Sequence, residues 1–451
     1  RDGNSFIGGD DNTTLDNVNS IVYGKGNNIT NSNQSFTFGE NNETDNDTNT
    51  ASIGINNVNN GNNNTINLGD SNEATNLNDS LLTGKKNIIS NSNMAIVFGE
   101  ENNTLSGLRT LTSGDTNIVK TSTNSMVMGK ENKAENVINM TLLGEKHDVS
   151  GNTTNSLVTG LNNKEAGGNR NITTGNLNEI TSAHNNVTSG FNNKLTNGGN
   201  NLLSGVNNVI INSNNSIISG DNNKTTSDTN VTVMGSNNII KTNSLNSTLI
   251  GDDNESINLT NSVVIGESNT STNIYNNIVS GKSNTSNNVD RSIIIGETQN
   301  TSNTVNSISV GLSNIVKTSS QIGVFGDENE VELTTKSLIY GSKNKEMEGD
   351  MDVIFGETND ISSSSISFTV GKSNIIRDCS KNATFGTTNQ VNNSEDTLVN
   401  GDSNIISNVI QTTVLGRGND VNTNTKHTLV SGWLNNESNG KNNAIFGKRN
   451  N

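Results

Sequence analysis

Asn261-Ser262-Val263-Val264-Ile265-Gly266-Glu267-Ser268-Asn269 carries the signature that decides the fold: a polar pair, three apolar residues, a glycine, two polar residues and an asparagine. The signature also stands at Asn19-Ser20-Ile21-Val22-Tyr23-Gly24, with Asn27 following. Its glycine recurs 30 times between Gly9 and Gly447, with 26 intervals of 15 residues and three of 16. The longer intervals are 144–160, 235–251 and 416–432. Asn stands three residues after the glycine in 28 of 30 units, the exceptions being His147 and Gln299. A fixed short period of this kind marks a repeat architecture.

Fifteen residues are too few for a helix-containing repeat but suit one coil of a solenoid, strand–turn–strand–turn. The glycines and asparagines, for example Gly24, Asn27, Gly129, Asn132, Gly266, Asn269, Gly371 and Asn374, read as structural turn residues. Glycine supplies the conformation a turn needs. Asparagine tolerates the left-handed region, and copies stacked coil on coil can bond one another as a ladder. Thirty coils at strand spacing would make a rod of about 140 Å.

The third, second and first positions before the glycine are apolar in 25, 21 and 19 of 30 coils. Neighbouring strand residues point to opposite faces, so consecutive apolar residues need burial on both sides. Ile21, Val22, Tyr23, Val263, Val264, Ile265, Ile293, Ile294 and Ile295 are the expected core and oligomer residues. The coil interior covers one face, and copies of the chain are the simplest cover for the other. The fifth position after the glycine is apolar in 17 of 29 coils, which reads as a half-buried second strand.

Composition agrees once the repeat is known. The 451 residues are 28% hydrophobic and 3% aromatic, with a net charge of -16, which by itself points toward disorder. There is no Pro, as expected where any coil would lose a ladder donor to it. A single Cys, Cys379, excludes a disulfide framework and a cysteine-based metal site. The acidic charge disfavours nucleic acid as a partner, and no apolar run approaches the length of a membrane-spanning helix. Arg1-Asp2-Gly3-Asn4 is not a signal peptide, so any leader is expected outside this sequence.

The blocks Asn124-Ser125-Met126-Val127-Met128-Gly129, Asn155-Ser156-Leu157-Val158-Thr159-Gly160 and Asn306-Ser307-Ile308-Ser309-Val310-Gly311 resemble the head repeat of YadA-like trimeric autotransporter adhesins. The resemblance covers essentially the whole chain. This chain departs from the family in having Asn where Ser is common after Gly-x-x, and Val, Ile or Phe where Ala is common in the strand. The resemblance implies a left-handed parallel β-roll assembled as a homotrimer, with residues 1–451 a single continuous head. The neck, stalk and membrane anchor would lie outside it. It further implies a non-catalytic adhesin on the bacterial surface, anchored in the outer membrane. The expected partner is a host cell-surface protein, CEACAM-type receptors included, or extracellular matrix.

No catalytic residue, metal site or cofactor is expected. His147, His184 and His427 are far apart in coil order, and His147 reads as a stand-in for the turn Asn. Glu40, Glu100, Glu145, Glu267, Glu297 and Glu357 each follow a repeat glycine on what should be a solvated edge. That position is charged in 20 of 30 coils, so its apolar occupants Ile55, Leu161, Phe191, Val206, Leu312 and Trp433 stand out. Leu161, Phe191 and Val206, which fall within four consecutive coils with Asn176 between them, form a candidate receptor-binding patch. The competing reading is local repacking, with the turn folding these residues inward. Trp433 is a second candidate, with packing against a neck as its alternative role. Three other functions remain open at this point: a spacer rod, a monomeric ice-binding solenoid and a phage fibre.

Overall fold

Runs of β-branched and long apolar residues favour extended backbone, and each run before a repeat glycine forms a five-residue strand ending one residue past it, as in Ile21–Lys25, Val263–Glu267 and Ile293–Glu297. The computed structural model describes residues 3–450, among which every regular element is a β-strand. The chain is a parallel β-solenoid of about 30 coils. It divides into two units, Arg1–Thr226 and Ser227–Asn451, each with fifteen of these long strands.

Within a unit every coil pairs in register with the next. Ile21, Val22 and Gly24 lie beside Phe36, Thr37 and Gly39 in parallel. A shorter strand follows, such as Asn28–Thr30, with Ile29 beside Thr44. A third, single-residue β position then pairs coil to coil, as Val18 does with Asn33 and Asn33 with Thr48. The coil is therefore three-sided, where the repeat length alone suggested two strands and two turns.

Left-handed residues mark the corners. They fall two and seven residues after the glycine and five before it, as at Asn41, Asn46 and Asn49 (φ 54°, 57° and 55°). The corners seven residues after the glycine and five before it are rich in Asn, which enters this region at little cost, while the corner two after it is more varied. The expectation that the asparagine three residues after the glycine is itself left-handed needs correcting: Asn27, Asn132, Asn269 and Asn374 are absent from the left-handed set and buried. The repeat glycine also proves to be a strand residue. Gly266 has φ 127°, and a Cβ on it would collide with the Gly281 carbonyl of the next coil. Close stacking of strands, as well as φ, demands glycine here.

The buried asparagines form a ladder. Asn269 Nδ2 donates to Gly281 O of the next coil (2.9 Å) and to Asn254 Oδ1 of the previous one (2.9 Å). Its Oδ1 accepts from the Asn284 backbone N–H (3.1 Å) and from Asn284 Nδ2 (3.0 Å). The amide thus meets its hydrogen-bonding capacity in a dry interior. His147 imitates it: Nδ1 accepts from Asn163 N (3.2 Å), which leaves Nε2–H to donate to Leu143 O (3.1 Å). Burial holds this imidazole below its usual pKa, in keeping with a neutral ring. Gln299 imitates only half. Its Nε2 reaches Gly311 O (2.5 Å), but its Oε1 takes the Ser309 hydroxyl (2.6 Å), and the ladder resumes from Asn314 to Asn329.

The core is the narrow space between the three sides. The residue two before the glycine fills it in most coils, as Val22, Val264 and Ile294 do, joined by apolar residues from the short strand such as Ile29 and Ile376. In the coils with Ser256, Ser271 and Ser286 on the short strand, the apolar side chain sits three residues later, at Leu259, Ile274 and Val289. There the short strand runs on to six residues, as in Thr270–Tyr275. Near the N-terminus the interior turns polar: Thr37 meets Thr44 (3.3 Å), and Asn67 donates to Asn59 (3.0 Å).

Each 16-residue interval places its extra residue at one corner, after the short strand. Gly151 and Asn152, Thr242 and Asn243, and Thr423 and Asn424 are consecutive left-handed pairs. The long strands keep register across the insertions, with Gly144 beside Gly160 and Gly416 beside Gly432.

Candidate functional site

The alternation of a strand sends the middle apolar residue inward and its two neighbours outward. Val22 and Val264 are fully buried, whereas Ile21, Tyr23 and Ile265 are 41%, 50% and 40% exposed. Ile294 is buried and Ile295 exposed, while Val263 and Ile293 are half-buried on the outward side. Each unit therefore presents two parallel rows of apolar side chains on its long-strand sheet that the chain itself leaves uncovered. Aromatic rings meet on this face: Tyr23 stacks on Phe38 (centroids 5.1 Å apart), Tyr340 packs tilted against Phe355 (6.2 Å), and Phe368 meets Phe385 edge to face (5.5 Å). A sheet face of this extent is unusual on an isolated soluble chain, where apolar patches are small.

The residue after the glycine ends the long strand and shares the outward face. This third row is largely ionic. Glu267 pairs with Lys282 (3.3 Å), Glu357 with Lys372 (3.0 Å), and Asp402 with Arg417 (3.2 Å), all on well-exposed side chains of adjacent coils. Glu100 pairs with Lys85 at 3.9 Å. Exposed pairs of this kind add little to stability, but they keep the edge polar.

Leu161, Asn176, Phe191 and Val206 interrupt that row on four successive coils and lie directly beside one another. Phe191 is 42% and Val206 37% exposed, and Leu161 is half-buried. They point outward rather than folding into the core. The rest of the face changes with them. Leu157, Ile172, Val187 and Leu202 continue the row three before the glycine, but Thr159, Thr174, Ser189, Ser204 and Ser219 replace apolar residues in the middle row. The Ser204 hydroxyl donates to Ser219 (3.2 Å). The patch is two apolar tracks flanking a track of hydroxyls. The 16-residue insertion of Gly151 and Asn152 lies at a different corner and does not shape it.

Trp433 occupies the same row in the other unit, between Arg417 and Lys448. It is exposed, and Lys448 Nζ lies 4.7 Å from its ring centroid, a cation–π contact.

A groove of about 660 Å³ escaped the sequence reading. Met94, Ile96, Leu111 and Met126 line it, with Arg109 and Asp79 also in its wall. The available signal was Met94 and Arg109 in a corner row that is otherwise mostly Asn. Among the described residues no three His, Cys, Asp or Glu side chains cluster as metal ligands. Cys379 is buried, its Sγ–H directed at Arg377 O (2.9 Å), and burial pushes the thiol up to about 11. No protein-family model and no curated protein matches the chain.

Proposed function

We propose that the chain is the head of a trimeric bacterial surface adhesin of the YadA-like type. It would act without catalysis and bind a host cell-surface protein, a CEACAM-type receptor being one candidate. The observation that carries this reading is the pair of outward apolar rows on the long strands. Covering one 40%-exposed isoleucine such as Ile295 would contribute about 1–2 kcal/mol, repeated coil after coil. Copies of the same chain, which offer the same rows in the same period, are the natural cover, and three would enclose them around an axis.

In this arrangement the row after the glycine lies at the rim of the packed faces. Its ionic stretches stay in water, and its uncharged stretch, Leu161 to Val206, is the proposed receptor edge. The double variant Phe191→Asp/Val206→Asp tests it. Cell binding should fall to background while circular dichroism and oligomer mass stay unchanged. Unchanged binding would remove the edge from the proposal. If the wild-type chain bound no cells or human ectodomains at all, the spacer reading would take its place.

A further inference from the structure

Three coils place a glutamate where others have an apolar core residue, five after the glycine: Glu165, Glu346 and Glu437. All three side chains are buried. Each is followed three residues later by a glycine (Gly168, Gly349, Gly440) and six residues later by Asn171, Asp352 or Asn443. The glycines make the room, because a Cβ at Gly168, Gly349 or Gly440 would meet the glutamate carboxyl. The three sockets are built alike and serve as one another's controls.

In two of them the last residue is an amide that donates to the acid. Asn171 Nδ2 reaches Glu165 Oε1 (2.8 Å), and Asn443 Nδ2 reaches Glu437 Oε1 (2.7 Å). In the third it is Asp352, which has no N–H to give. Glu346 Oε1 takes the Ser337 hydroxyl (2.7 Å), and Asp352 Oδ1 takes the Ser367 N–H (2.6 Å). Glu346 Oε2 and Asp352 Oδ2 have no hydrogen-bond donor.

No cationic side chain enters this socket. Val331 and Ile361 flank Glu346 on the adjacent short strands, and Ile339 and Ile354 face inward from the long strands. Of the nearby charged groups, Lys345 is engaged on the outer side with Glu330 (3.8 Å), Glu348 accepts the exposed Ser363 hydroxyl, and Asp360 pairs with Arg377 (3.1 Å). Glu332 and Asp350 are further acids, and the Asp350 charge acts on Asp352 in the same sense as burial.

We infer that Glu346 and Asp352 share one proton in the folded protein, supplying the hydrogen bond that an asparagine amide supplies in the sister sockets, so that this coil tightens in mildly acidic surroundings and loosens in alkaline ones. Burial foremost, with the Asp352 carboxylate adding to it, holds Glu346 well above the usual carboxylate range, and burial pushes Asp352 up to about 6. A raised acid binds its proton more tightly folded than unfolded. Its contribution is complete below the unfolded pKa and is lost as pH rises through the folded one.

Hydrogen exchange on the full chain tests this, with rates divided by intrinsic rates at each pH from 5.5 to 8.5. Protection over residues 345–354 should fall with rising pH, approaching tenfold per unit, the slope of one proton. Coils without a buried acid, such as residues 263–275, should not follow. Asp352→Asn restores the sister-socket amide and should move the fall toward lower pH without abolishing it, because burial still raises the acid in the amide-bearing Glu165 socket. Glu346→Gln removes the buried glutamic acid itself and should flatten the profile. A flat wild-type profile, a profile unchanged in both variants, or protection that follows sodium or calcium concentration instead of pH would overturn the proposal.

Discussion

Replacing Asn269 by alanine should cost far more than an exposed asparagine would. The side chain is fully buried and makes two donor and two acceptor bonds to neighbouring coils. Alanine leaves the Asn284 N–H without its acceptor and removes the cap on Gly281 O. Each stranded buried group costs about 1–3 kcal/mol, so the loss should be about 3 kcal/mol or more. Because repeat arrays open locally, amide exchange at residue 284 is the proper assay. A cost of about 3 kcal/mol corresponds to about a 100-fold loss of protection.

The chain's own exceptions rank the other replacements. Histidine at 269 should keep the residue 284 amide protected, because His147 accepts from the Asn163 N–H in the same way. Glutamine should not, because Gln299 turns its oxygen to Ser309. The wild type carries its own control: the Asn314 amide should exchange faster than that of Asn329, which Asn314 Oδ1 receives (3.0 Å). Equal protection at 284 in Asn269→Ala and wild type would refute the claim that the ladder holds the coils.

Further outcomes follow from the same geometry. Gly266→Ala should abolish protection in its own and the next coil, since both its φ and its closeness to Gly281 exclude a Cβ. Acidification should weaken the Gly144 coil through His147: its folded pKa is lowered, so its contribution is full above the unfolded value near 6.5 and is lost as pH falls through the folded one. His147→Asn should remove that dependence in pH-resolved exchange. Ile265→Asp with Ile295→Asp should reduce the particle mass measured by light scattering while leaving the β circular dichroism signal intact.

The period, the strand before the glycine and the inward–outward division of its residues were legible because a strand repeats every two residues and a coil every fifteen. The Asn ladder was legible too, since identical residues stacked coil on coil can bond one another, although the burial of these asparagines was not. The third side of the coil was not: its β position is one residue wide, occupied by Val18, Asn33 or Thr48 without pattern. Nor was the role of the glycine, because a residue demanded by close stacking looks the same in sequence as one demanded by a turn. The patch from Leu161 to Val206 stood out by type, but only the fold shows that it shares a face with the uncovered apolar rows. The acid sockets were hidden because Glu346 and Asp352 look like surface residues until Gly349 is seen to make room for them.

The central claim is that the outward apolar rows are covered by further copies of this chain, and the mass of the particle in solution tests it most directly. Sedimentation equilibrium should give about three times the chain mass of 47.7 kDa, unchanged on dilution through the micromolar range. A stable, soluble particle of 47.7 kDa, with the long-strand faces open to water, would contradict it.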